Sequence, residues 1–111
     1  MLRSDLWAAA FVRRHNDLGG ICVVSRRGDP IAGQIFIEID HLNGTASLFT
    51  PAPSSALDDG EEDHVFVRRF ARTDPASVRD RITREIAFDP DLWVISLEMR
   101  GDDPGLTMAR G

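Results

Sequence analysis

The sequence predicts an α+β domain: a mainly antiparallel five-stranded sheet with two helices, in the order αββββαβ. Ile35, Ile37 and Ile39 alternate with Phe36 and Glu38 at the two-residue period of a strand. Val78, Ile82 and Ile86 recur every four residues, as one face of a helix requires. Asn43-Gly44 fits the positive-φ positions of a tight hairpin turn, so the strands on either side should run antiparallel.

The elements follow in order. Ser4 suits an N-cap, and Trp7, Ala10, Phe11 and Leu18 recur at helical spacing, which predicts a first helix over residues 5–17. Gly19-Gly20 ends it, and the β-branched run Ile21, Val23, Val24 opens the first strand. Arg27-Gly28-Asp29-Pro30 reads as a turn before the strand at 35–39, and the hairpin leads into a strand over 45–50. Strands one to three are then expected to form a meander.

Pro51, Pro53 and the acid-rich stretch up to Asp63 predict a surface loop. Val65 and Val67 alternate with Phe66, Arg68 and Phe70 in a fourth strand, and Asp74-Pro75 opens the second helix. Asp89-Pro90 stops that helix, and Trp93, Ile95, Leu97 and Met99 alternate with Val94, Ser96 and Glu98 as a fifth strand. Residues 1–100 form the expected single domain and residues 101–111 a disordered tail, since a chain of 111 residues has room for one core only.

Composition excludes several classes of chemistry. With 42% hydrophobic and 28% charged residues the chain is globular. A net charge of −5 disfavours general nucleic-acid binding, which needs a basic surplus to neutralise phosphates. All 13 basic residues are arginine, so a catalytic amine or Schiff base is ruled out. Cys22 is the single cysteine, which excludes an intramolecular disulfide and a multi-cysteine zinc site. The longest uninterrupted apolar run, at 6–12, is seven residues, against about 20 needed to span a bilayer. The expected location is the bacterial cytoplasm.

No catalytic motif, cofactor motif or metal site emerges. The acidic stretch Asp58, Asp59, Glu61, Glu62, Asp63 with His64 lacks the alternation of a calcium loop and reads as solvated. His15, His41 and His64 are isolated and read as surface or helix-end residues, and Cys22 reads as a small buried hydrophobe. Gly19-Gly20 follows a helix and precedes a strand, the reverse of a phosphate-binding loop.

Two functional expectations follow. If Ile35, Ile37, Ile39, Trp93, Ile95 and Leu97 face both helices, then Cys22, Val24, Phe36, Phe49, Phe66 and Val94 form an apolar reverse face. A second copy or a partner would cover it, making the protein an association module and a homodimer. Alternatively, Arg26, Arg27, Arg68, Arg69 and Arg72 converge from strand ends to hold an anionic ligand of unknown identity, with His41 or His64 as acid or base. The first expectation makes the protein a binding module and not an enzyme.

Three segments carry a resemblance to a known family: Arg26-Arg27-Gly28-Asp29 followed by Ala32-Gly33-Gln34-Ile35-Phe36-Ile37, then Leu42-Asn43-Gly44-Thr45-Ala46 with Leu48-Phe49 and Pro51-Ala52-Pro53, and finally Phe88-Asp89-Pro90-Asp91-Leu92-Trp93-Val94. With these, the chain resembles the domain of unknown function 1491 family of short bacterial proteins over about residues 2–100. The resemblance implies no activity, cofactor or partner, so it assigns no functional residues.

Overall fold

The computed structural model describes residues 2–53 and 64–109. The seven expected elements are present as α1 (Ser4–Asp17), β1 (Ile21–Arg26), β2 (Ile35–Asp40), β3 (Ala46–Pro51), β4 (Phe66–Thr73), α2 (Pro75–Phe88) and β5 (Trp93–Glu98). The acidic stretch at 58–63 lies outside the described residues.

The strands form one sheet in the order β1-β5-β2-β3-β4. The β1–β5, β2–β3 and β3–β4 pairs are antiparallel, but β5 runs parallel to β2, so the sheet is mixed. The expected meander of the first three strands is therefore corrected, because β5 inserts between β1 and β2. The reason lies in apolar content. Trp93, Val94, Ile95 and Leu97 are all buried, as are Ile35, Phe36, Ile37 and Ile39, so both strands need cover on both faces and take central places.

The helices lie on opposite faces, which corrects the expectation that both cover one. Ala8 and Phe11 of α1 pack with Cys22, Ile35, Ile37, Ile39, Phe49, Phe66, Trp93, Ile95 and Leu97. Val78 and Ile82 of α2 pack with Phe36, Ala46, Leu48, Leu92 and Val94. Alternation sends neighbouring residues to opposite sides, so two apolar sets along one strand require two covers.

Local chemistry departs from expectation at three ends. Ser4 is not a cap: its buried hydroxyl donates to the Gly33 carbonyl (2.6 Å), while the amides of Ser4 and Asp5 are satisfied by the carbonyls of Ile31 and Pro30. The hairpin loop spans 41–45 with positive φ at Leu42 and Gly44 and not at the Asn43-Gly44 pair, and Asn43 Oδ1 instead accepts from the amide and hydroxyl of Thr45. Residues 101–109 are not a loose tail. The Phe66 amide donates to Thr107 O (2.9 Å), Ala109 N to Phe66 O (2.8 Å), and His15 Nε2 to Pro104 O (2.8 Å).

Candidate functional site

The sheet order dissolves the arginine cluster. β1 and β4 are opposite edges, four strand spacings or about 19 Å apart, so Arg26 and Arg27 cannot meet Arg68, Arg69 and Arg72. Most of these side chains also have internal duties. Arg26 Nη1 donates to the carbonyls of Arg27, Pro90 and Leu92, at 3.3, 3.0 and 2.9 Å, tying β1 to the turn before β5. The Arg27 guanidinium lies 5.0 Å over the Trp93 ring, whose Nε1 donates to Asp29 O (2.7 Å). Gly28 is required in this turn, since a Cβ there would overlap the Asp91 carbonyl.

On the other edge, Arg69 Nε donates to Thr50 Oγ1 (3.1 Å) and Arg72 Nε to Asp102 Oδ1 (2.7 Å). Arg72 itself has φ 48° within the irregular β3–β4 ladder, and its amide donates to Ser47 Oγ (3.0 Å). Arg68 is exposed.

The proposed reverse face is interior. Cys22, Phe49 and Phe66 are buried under α1 with Val24 packed beside them, and Phe36 is buried under α2. The strand register divides these residues between the two faces, and alternation within single strands does not reveal that register.

The histidines do not come together. His41 is buried, against the expectation of a surface or helix-end residue, and His15 sits in the last turn of α1 as expected but is buried there. His41 Nδ1 donates to Met99 O (2.8 Å), which leaves Nε2 to accept from the Ser47 hydroxyl (2.7 Å). Ser47 is itself buried, so this pair braces the ends of β2, β3 and β5 and offers no path to a substrate. His64 stacks on Trp7 at 5.2 Å and donates to Leu2 O (3.0 Å). Among the described residues no group of His, Cys, Asp and Glu is placed to hold a metal ion, and no helix is long and apolar enough to cross a membrane. Burial pushes the Cys22 thiol up to about 11, so the thiolate that would react is suppressed at neutral pH.

What remains open is half of one sheet face. α2 packs on β3 and β4 and over Val94 of β5, and leaves the same side of β1 and of the C-terminal half of β5 open. Ile21 and Val23 stand there 58% and 51% exposed, and Leu42 in the hairpin loop is 44% exposed. With Val78 and Arg79 of α2 they bound a groove of about 610 Å³ whose floor includes Glu38, Asp40, Ser96 and Glu98. Ser96 donates to Glu38 Oε1 (2.5 Å) and Ser25 shares a short hydrogen bond with Ser96. Since the carboxylate takes the Ser96 proton, Ser25 is the donor to Ser96. The floor therefore presents acceptors and negative charge between apolar banks. Sequence reasoning missed this groove, because Ile21 and Val23 read as ordinary β-branched strand residues and nothing local marks them as exposed.

Each sheet edge is capped at one point. Asn16 Nδ2 donates to Cys22 O and Asn16 Oδ1 accepts from Cys22 N, both at 2.9 Å, so the outward backbone groups of that edge residue are taken. Residues 107–109 pair with the start of β4, and arginines line its remainder.

The chain is similar to proteins of known structure. A family model described as a protein of unknown function (DUF1491) matches residues 2–107. The solution structure of protein Atu0922 from A. tumefaciens is 31% identical, covering 99% of this chain and 96% of that one, with a TM-score of 0.83. The crystal structure of a DUF1491 family protein from Caulobacter crescentus is 29% identical over 97% of this chain and 99% of that one, with a TM-score of 0.79. An NMR structure of a DUF1491 family protein from the same organism is 30% identical, covers 98% of this chain and 97% of that one, and has a TM-score of 0.77. No curated protein matches the chain.

Proposed function

The chain belongs to the DUF1491 family of proteins of unknown function, and we propose that it is a non-catalytic association module that pairs with a second copy through the bare half of its sheet face. The observation that carries this reading is the exposure of the apolar side chains Ile21, Val23 and Leu42 around one groove, while the apolar residues of the central strands are buried. Clustered β-branched side chains on an open face favour burial against another surface. The capping of Cys22 and Phe66 at the two edges supports a face-to-face mode over strand addition at those points. The arginine-based alternative has less support, because its residues sit on opposite edges.

Sedimentation of the full chain at micromolar concentration tests the reading. A dimer is expected, and Val23→Asp, which places a charge in the contact, should yield a folded monomer. A wild-type chain that stays monomeric up to millimolar concentration overturns it.

A further inference from the structure

Resting on that self-association, we infer that the groove docks against its own copy about a two-fold axis, with Arg79 on the α2 bank of one chain meeting Glu98 on the floor of the other. A two-fold interface sets one patch against itself, so the patch must be self-complementary. This groove holds both halves of such a match. Arg79 and Glu98 both line it and both are exposed. Among the described residues, neither side chain has a hydrogen bond or ion pair within the chain.

The floor also needs a cation. Asp40 and Glu98 are direct neighbours across the parallel β2–β5 ladder, and like charges so placed repel. Asp40 Oδ1 accepts from the Leu42 amide and Glu38 from Ser96, but among the described residues no cation is paired with Glu98. A guanidinium from a facing copy supplies both charge and donors. The same rotation brings Ile21 and Val23 of the two chains to the same interface, where their exposed area is removed from water.

Sedimentation equilibrium on full-length charge-swap variants tests the pairing. Arg79→Glu and Glu98→Arg should each weaken dimerisation by about tenfold or more, and the double variant should return to within about threefold of wild type. Raising salt should weaken the wild-type dimer in parallel. Arg79→Gln and Glu98→Gln, which only neutralise, should weaken it without rescue in combination. Both positions are exposed, and matching thermal melts would establish that each variant is folded. A dimer broken by Val23→Asp but indifferent to the swaps overturns this pairing and leaves self-association standing, and single losses without rescue in the double variant also overturn it. A monomeric wild type removes both.

Discussion

The two faces of the sheet are covered by helices of equal length, 14 residues each, yet only one face is closed. Under α1 the core draws on all five strands, from Cys22 on β1 to Phe66 on β4. Under α2 it draws no residue from β1. Side-chain size accounts for the difference. α1 brings Trp7 and Phe11, stacked with centroids 5.1 Å apart, and Trp7 also meets Phe66 at 5.4 Å. Leu106 and Met99 extend that layer further. α2 contributes Val78, Ile82 and Ile86, which reach over part of the sheet and no more. A single helix can close a five-stranded face, but only with aromatic reach and help from a second segment.

The comparison can be broken most severely at Phe11. Phe11→Ala should cost about 3–5 kcal/mol in urea unfolding, because a fully enclosed aromatic leaves a cavity that its neighbours cannot fill. On the α2 side, Ile82→Val should cost only about 0.5–1.5 kcal/mol by the same measurement.

Cys22 gives a pH-dependent test of the closed face. Its folded pKa of about 11 exceeds the ordinary value of 9.0 because burial disfavours the thiolate. The folded state then holds a proton that the unfolded state releases, so its contribution to stability is fully present below pH 9.0 and is lost as pH rises towards 11. The chain has neither lysine nor tyrosine, so no other side chain is expected to titrate strongly in that window. Unfolding midpoints measured from pH 8 to 11 should fall in wild type and stay flat in Cys22→Ala, whose baseline is lower. Asn16→Ala should cost about 1 kcal/mol through the two lost hydrogen bonds to Cys22, again read by urea unfolding. The smallest effect belongs to the open face, where Val23→Ala, measured at a concentration low enough to keep the chain monomeric, should shift stability by no more than about 0.5 kcal/mol.

The same contrast explains what could be read in advance. Helix α2 was legible because Val78, Ile82 and Ile86 repeat at the helical period, and β2 because its isoleucines alternate. The hairpin pairing of β2 with β3 was legible from the turn between them. Strand order was not, since the place of β5 between β1 and β2 depends on contacts distant in sequence that no local period encodes. The same blindness misplaced Phe36, which shares its strand with Ile35 and Ile37 but points the other way. Nor could the groove be read, because whether Ile21 and Val23 are core or surface depends on how far a helix some sixty residues later extends.

The Asn16 carboxamide has a consequence for how a foreign strand could meet this edge. One donor and one acceptor on a single side chain are what a neighbouring strand residue would have offered Cys22, so at that residue the outward hydrogen bonds are already filled. Edge addition repeats without limit and grows fibres, while face pairing about a two-fold closes after two chains. A single amide at the end of a helix thus occupies one pairing position that edge-to-edge growth would use.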